Sequence, residues 1–305
     1  MRAATEQLTK RQFEALLADV SNWARWGKSD QLGTLNLITQ RKRKAAAGLV
    51  KEGVSVSLSR NVIKVESDDS PPFEHRMVET GANGNISSSD IYSVRYHGFT
   101  VTHLDALCHV FYAVKMYNGF SQREVTGRGA AKLSVIEAKD GIFTRGVLMD
   151  FPRLAGRAYL PGTYAIYADD LDRCEQKSGV RVGSGDAVFI RTGRWARRAS
   201  EGPWPILKDS AGLHVSCVRW LRHRDVSILG SDLASDLMPS HVDGVLLPVH
   251  AATIVGMGAP IVDNCDLERL SSTAHGLGRY EFLLTASPLA VEGGTGSPLN
   301  PVATF

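Results

Sequence analysis

Residues 97–109, which read HGFTVTHLDALCH, limit what this chain can fold into more than any other stretch. They contain three histidines and one aspartate, whereas the whole chain of 305 residues has nine histidines. Burying several polar side chains in one apolar setting costs free energy unless each of them finds a partner. A fold that buries this stretch must therefore bring partner groups to it.

Three side chains of the stretch can face one point. Residues 93–102 mix β-branched and aromatic residues with polar ones, which predicts a strand that runs into the motif. Side chains alternate along a strand, so His103 and Asp105 are predicted to project to the same side. If a helix begins at Asp105, His109 lies four residues further on and returns to that face.

This cluster has two interpretations. An imidazole and a carboxylate that face one point form a candidate metal site, with the His109 ring beside the ion rather than bound to it. Alternatively, these are buried polar side chains whose partners are backbone groups. The number of costly polar groups in one place favours the metal site.

Short apolar runs bounded by Gly, Asp or Pro predict buried strands at 147–150, 164–167, 187–191 and 226–230. Segments with helical character at 168–179 and 216–223 lie between them, and this alternation predicts an α/β fold with a central, mostly parallel or mixed sheet. Nearer the N-terminus, a helix is predicted at 39–52 with Thr39 as its N-cap. No repeat or shift in composition divides the sequence, so we expect one layered domain over residues 1–305.

Composition and charge exclude several classes of protein. A hydrophobic content of 43% and a charged content of 22% are ordinary for a soluble globular protein. The net charge of +3 is too small, and the basic residues too scattered, to indicate nucleic-acid binding. Residues 1–10 are polar, and no apolar run is long enough to cross a membrane. We therefore expect a cytoplasmic protein whose partners include neither nucleic acid nor membrane.

Several motifs resemble one family. Residues 102–106 (THLDA) followed by His109 resemble the HxGTHxDxPxH signature of the cyclase-like metal-dependent hydrolases, the superfamily of bacterial kynurenine formamidase and isatin hydrolase. Further segments resemble the long cyclase branch of that superfamily: 30–39 (DQLGTLNLIT), 185–193 (GDAVFIRTG), 248–250 (PVH), 263–264 (DN) and 293–298 (GGTGSP). The resemblance spans almost the whole chain and implies a swivelling β/β/α type of fold.

The resemblance also implies roles for individual residues. It matches His250 to the distal metal-binding histidine and Asp263 to a metal-binding glutamate, with His103 and Asp105 as the other ligands. An aspartate is shorter than a glutamate by one methylene, roughly 1.5 Å of reach. The backbone at Asp263 must therefore lie closer to the ion, or a water must intervene. The same resemblance gives His109 the role of general acid and base.

This chain departs from the family pattern at the first metal-binding histidine, because Phe99 occupies that position. His97 lies two residues earlier, but in an extended strand it would be some 20 Å from His103. Only a bulge or a looped segment, to which Gly98 could contribute, would bring it to the ion. His97 is therefore a fifth candidate ligand, and without it four groups are still enough for one ion.

A divalent ion in such a site would activate water and polarise a carbonyl group. This chemistry suits the opening of an amide, lactam or lactone in a small cyclic or aromatic molecule, and the mixed ligands suit Zn or Mn. The resemblance makes C–N bond hydrolysis the leading reaction. The family name also leaves open a cyclase or dehydratase that acts on a biosynthetic, polyketide-like intermediate. A third alternative, favoured by Phe99 and Asp263, is a non-catalytic, metal-free binding protein.

The substrate is predicted to be a small molecule that contacts four aromatic side chains: Trp23, Trp26, Phe99 and Tyr117. For the two tryptophans, packing in a core or an interface is the alternative interpretation. Two acidic residues after a buried strand, Asp232 and Asp236, resemble positions that support the backbone of a family loop. The resemblance further implies a homodimer or a larger homo-oligomer.

Overall fold

The computed structural model of the chain describes residues 7–67, 69 and 71–305. Residues 1–6, 68 and 70, which the one-domain prediction also covers, lie outside these ranges. The strands are β1 (Ser55–Ser57), β2 (Glu74–Glu79), β3 (Ser89–Ser93), β4 (His103–Asp105), β5 (Val125–Thr126), β6 (Gly129–Ala130), β7 (Ile142–Asp150), β8 (Ala165–Ile166), β9 (Ala187–Arg191), β10 (Gly212–Leu213), β11 (Ile228–Ser231), β12 (Ile261–Asp263), β13 (Glu281–Ala286), β14 (Gly296–Pro298) and β15 (Val302–Thr304). The α-helices are α1 (Lys10–Asp19), α2 (Gln40–Ala47), α3 (Phe151–Leu154), α4 (Ala168–Ser178), α5 (Arg194–Glu201), α6 (Cys217–His223), α7 (Pro248–His250) and α8 (Glu268–Leu277). A π-helix, Ala251–Met257, continues α7.

A mixed sheet of nine strands forms the centre of the fold, in the order β1-β15-β13-β7-β9-β11-β12-β4-β14. Its four middle strands β7, β9, β11 and β12 are parallel, and the remaining neighbours pair antiparallel. The predicted α/β class with a central mixed sheet is confirmed. Parallel strands are usually covered on both faces of the sheet, which explains why all five residues of β9 are buried.

Helix α2 shows how local sequence and distant contacts set the two ends of a helix. The Thr39 side chain accepts a hydrogen bond from the backbone N–H of Lys42 and caps α2, as predicted. The predicted helix end at residue 52 is wrong, because α2 ends at Ala47. The chain leaves the helical path there, and the backbone N–H groups of Glu52 and Gly53 donate to the Phe305 carbonyl.

Strand β4 is short and lies between two strands from the C-terminal part of the chain. His103 is opposite Asp263 of β12 on one side and Pro298 of β14 on the other. Leu104 points to the opposite face of the sheet from His103 and is buried. The register of β4 and β12 therefore places the side chains of residues 103, 105 and 263 at one end of the sheet.

The predicted strand over residues 93–102 is wrong for most of its length. Strand β3 ends at Ser93, and residues 94–102 form a loop before β4. The Asn264 amide donates to the carbonyls of Gly98 and Val101, at 2.7 and 3.1 Å, and holds the loop against the end of β12. Nor does a helix begin at Asp105: residues 107–108 form a turn, closed by a hydrogen bond from the His109 N–H to the Ala106 carbonyl.

Candidate metal centre

Strand β4 supplies the two buried groups at the middle of the site. His103 Nδ1 contacts the Val101 carbonyl at 2.8 Å, which directs Nε2 to Asp105 Oδ1 at 3.3 Å. Burial opposes the charged form of His103, but the charges of Asp105 and Asp263 outweigh it and raise the pKa of the imidazole above 6.5. Burial likewise opposes ionisation of Asp105, but the imidazoles around it hold the pKa of this carboxyl well below its usual range.

The C-terminal part of the chain supplies the other side of the site. Asp263 ends β12, and its Oδ2 lies 3.0 Å from Nε2 of His250. The same Nε2 atom lies 3.7 Å from Asp105 Oδ2. Burial opposes protonation of His250, but the carboxylates of Asp263 and Asp236 raise the pKa of the imidazole well above 6.5. The shorter carboxylate at residue 263 therefore still reaches the cluster.

His97 and His109 approach from loops and form the accessible side of the cluster. Their rings are stacked, with centroids 3.7 Å apart and an angle of 3° between the planes. His97 Nδ1 lies 2.9 Å from Asp105 Oδ1, and His109 Nε2 lies 3.8 Å from the same atom. The looped backbone that His97 requires is thus present. The His109 side chain is 29% exposed, whereas those of His103 and His250 are each 3% exposed.

The His109 imidazole is neutral at pH 7. Burial, with smaller contributions from the neighbouring imidazoles, outweighs the attraction of Asp105 and lowers the pKa of His109 to about 4. A neutral ring at the accessible side of the cluster has a free lone pair. It can accept a proton from a group that enters the site.

Buried oxygens without partners test whether a cation fits. Among the described residues, both carboxylate oxygens of Asp105 and Oδ1 of Asp263 are buried and have no partner in good hydrogen-bond geometry, although four imidazoles lie within 4 Å of Asp105. Potential ligand atoms lie within 4.8 Å of one another in two groups that share Asp105: His97, Asp105 and His109, and His103, Asp105 and Asp263. These buried carboxylates need positive charge beside them, which the protonated imidazoles supply in the metal-free protein and a divalent ion would supply if the imidazoles bound it, so the arrangement fits a divalent ion.

Phe99 follows His97 by two residues and packs in a small apolar group with Trp204, Ile206, Leu233 and Ala234. The backbone N–H of Asn264, the residue after Asp263, donates to the Leu233 carbonyl and ties this group to the end of β12. We call these five residues the apolar wall. Trp204 was missed in the sequence, where the run Pro203-Trp204-Pro205, a rigid aromatic position, is the signal that could have found it.

The other three aromatic candidates, Trp23, Trp26 and Tyr117, have partners outside the cluster. Tyr117 is fully buried and its hydroxyl donates to Asp30 at 3.0 Å. The Trp23 indole donates to the Val255 carbonyl of the π-helix at 2.7 Å, and Trp26 packs under the Arg25 guanidinium. In the part of the chain that the structure describes, no hydrogen bond joins these three to the cluster. Their role in substrate binding remains a prediction.

Further residues contact the cluster, among them Thr295 and Asp236. Thr295 Oγ1 lies 3.0 Å from His97 Nε2, which places the glycine-rich segment 293–297 against the site. Asp236 contacts Nδ1 of His250 at 2.6 Å, although the sequence indicated only backbone support for this residue. No local pattern connects an aspartate to a histidine fourteen residues later.

A cavity of about 290 Å³ lies elsewhere, at the end of β7. It is lined by Asp150, Arg153, Leu154, Cys174, Lys177, Ser178, His275 and Tyr280, and by no residue of the cluster. Half of these eight residues are exposed, and Asp150 is already paired with Arg191 at 2.8 Å. This cavity is therefore separate from the histidine and carboxylate cluster.

The chain is similar to known proteins both in sequence and in structure. The model of the family described as "Putative cyclase" matches residues 54–235. The crystal structure of a protein described as a novel cyclase is 32% identical, with a TM-score of 0.83 over 93% of this chain and 99% of that chain. An isatin hydrolase bound to the product analogue thioisatinate is 18% identical, with a TM-score of 0.58 over 85% of this chain and 94% of that chain.

A predicted metal-dependent hydrolase from Bacillus stearothermophilus is 15% identical, with a TM-score of 0.53 over 82% of this chain and 97% of that chain. At these lower identities the similarity shows the fold alone. A comparison with curated proteins gave no match. Among the helices that the structure describes, none has both the length and the apolar content needed to cross a membrane.

Proposed function

The chain belongs to the family described as "Putative cyclase", and we propose that it is a metal-dependent hydrolase that opens an amide, lactam or lactone bond of a small cyclic or aromatic molecule. One observation carries the proposal. Imidazoles and carboxylates from residues 97–109 and from 250–263 converge around buried oxygens that lack hydrogen-bond partners among the described residues. Such a set of groups is costly to bury unless a cation joins them.

Five side chains would hold the ion. His103, Asp105, His250 and Asp263 form the buried side of the set, and His97 approaches from the accessible side. Mixed imidazole and carboxylate ligands suit Zn or Mn. When bound, such an ion lowers the pKa of a coordinated water and polarises a carbonyl oxygen.

The chain itself supplies the proton transfer and the binding surface. His109 is neutral and accessible, so its ring can take a proton from water and return it to the leaving nitrogen or oxygen. Stacking on His97 fixes the plane of the His109 ring. Phe99 and Trp204 of the apolar wall would pack against a flat ring and exclude water from one side of it.

The experiment that tests this proposal combines metal analysis with product mass. The purified protein, loaded with Zn²⁺ or Mn²⁺, is incubated with the lactam isatin, an aryl formamide and an aromatic lactone; isatin is chosen because one structural neighbour is an isatin hydrolase. We expect one of the three to gain water, and we expect the His103→Ala variant to lose both metal and activity. Metal content below about a tenth of an equivalent after loading would refute the hydrolase and favour the metal-free binding protein.

A second candidate reaction is ring closure or dehydration of a biosynthetic intermediate. The observation that favours it is the 32% identity to a protein described as a novel cyclase over almost the full length of both chains. The same assay separates the two reactions, because a cyclase gives a product of unchanged mass with a new ring, whereas a dehydratase gives a product that has lost water.

We also propose the setting in which the protein works. Its partner is a small-molecule substrate rather than nucleic acid or membrane, in line with a net charge of only +3. We propose a homodimer or larger homo-oligomer in the cytoplasm. Light scattering and cell fractionation test these two statements.

A further inference from the structure

Asp236 is a buried residue that contacts the proposed metal ligand His250 but has no role in the proposed function described above. It lies in the segment after β11, and its side chain is fully buried. Its Oδ1 accepts a hydrogen bond from the Val249 backbone N–H at 2.7 Å, and its Oδ2 accepts one from the His250 N–H at 3.2 Å. The carboxylate thus caps the start of the short helix α7.

The same Oδ2 atom also contacts the side chain of His250, at 2.6 Å from Nδ1. A carboxylate oxygen only accepts hydrogen bonds, so the proton must be on Nδ1. The other ring nitrogen, Nε2, faces Asp263 at 3.0 Å and Asp105 at 3.7 Å, so without an ion it carries a proton as well, and a bound cation would take the place of that proton. One carboxylate therefore fixes the position of the α7 backbone, the orientation of the ring and the nitrogen that is left to bind a cation.

We propose that Asp236 is a positioning residue for the metal centre, which acts by holding His250 in the Nδ1-protonated form with Nε2 directed at the ion. This inference rests on the proposed metal site. Carboxylates that orient metal-binding histidines typically contribute about 10- to 100-fold to metal affinity. Asp236 would then set how tightly the ion is held without touching it.

The chain offers a matched control four residues earlier. Asp232 is equally buried and accepts hydrogen bonds from the backbone N–H groups of Thr192, Gly193 and Arg194, but it contacts no imidazole of the cluster. Replacing either aspartate by asparagine keeps its shape and removes its charge. Only at residue 236 does the change place an amide beside His250. If its NH₂ group takes the place of Oδ2, it donates to Nδ1 and moves the proton to Nε2; in the other orientation a neutral amide oxygen replaces the carboxylate as the weaker acceptor for Nδ1–H.

The test is a titration of wild type, Asp236→Asn and Asp232→Asn with Zn²⁺ alone, in competition with a chromophoric chelator. We expect Asp236→Asn to lower the affinity about 10- to 100-fold and Asp232→Asn to change it by less than about threefold. If Asp236→Asn does not fold, as judged by thermal unfolding of the metal-free protein, Asp236→Glu is titrated instead. This variant keeps the charge but displaces the ring, so we expect a smaller loss of affinity.

A second measurement reports on His250 in the metal-free protein. The Nδ1 proton of His250, hydrogen-bonded to a carboxylate, should give a downfield NMR signal in wild type and in Asp232→Asn, and this signal should be lost or move upfield in Asp236→Asn. Unchanged zinc affinity in Asp236→Asn, or an equal loss in Asp232→Asn, would overturn the inference. A wild-type protein that takes up no zinc would instead refute the proposed metal site itself.

Discussion

Asp105→Asn tests the centre of the site, because Asp105 lies within 4 Å of four imidazoles: His97, His103, His109 and His250. A structural zinc site contributes about 10–16 kcal/mol of binding free energy. Shared among the five proposed ligands, this is about 2–3 kcal/mol for each, or roughly a 30- to 200-fold change in affinity. We expect the variant to bind Zn²⁺ weaker by that factor, measured by chelator competition.

A matched control is Asp90→Asn. Asp90 also contacts a histidine, His75, at 3.0 Å, but both lie on the exposed hairpin of β2 and β3. This control variant should bind zinc as wild type does. If the Asp105→Asn variant binds zinc with an affinity within about threefold of wild type, the assignment of this carboxylate as a metal ligand is contradicted.

The metal-free protein gives an independent result for the same substitution. The pKa of Asp105 is held well below its unfolded value of 3.8, so the ionised carboxylate stabilises the fold above that value. This contribution is lost as the pH falls through the folded pKa. We therefore expect Asp105→Asn to lower the free energy of unfolding at pH 7, and the difference from wild type to narrow below about pH 3.8.

Three further predictions concern the histidines and the apolar wall. Because the pKa of His103 is raised above 6.5, its contribution to the stability of the metal-free protein is fully present below about pH 6.5 and is lost as the pH rises through the folded pKa. The difference in the free energy of unfolding between wild type and His103→Gln, measured with urea, should therefore shrink with rising pH. A difference that stays constant with pH would contradict this. His109→Gln should lower kcat at least about 100-fold and leave zinc content unchanged, and loss of zinc in proportion to activity would make His109 a ligand instead. Phe99→Ala should raise KM for an aromatic substrate about tenfold with little effect on kcat, and an equal effect on an aliphatic substrate would argue against ring recognition.

Local sequence patterns were sufficient to predict features that depend on a single strand. Alternation along a strand predicted that His103 and Asp105 share a face, and both lie on β4 with their side chains in contact. The apolar run 187–191 was predicted with the bounds that β9 has, because a strand buried on both faces needs no alternation.

Sequence could not predict features that depend on distant residues. The loop that carries His97 exists because Asn264, more than 160 residues away, binds the carbonyls of Gly98 and Val101. The composition of residues 93–102 suits a strand, and the tertiary hydrogen bonds override that preference. The apolar wall likewise joins Phe99 to Trp204, which no periodicity connects.

The neighbours of β4 affect how the protein is made. Both strands that pair with it, β12 and β14, come from the last 45 residues of the chain. During synthesis the histidine-rich segment therefore leaves the ribosome long before its pairing strands exist, and such distant pairings make folding slow. A nascent chain truncated before residue 261 should be unable to assemble the ion-binding pocket, so uptake of the ion would mark the end of folding rather than begin it.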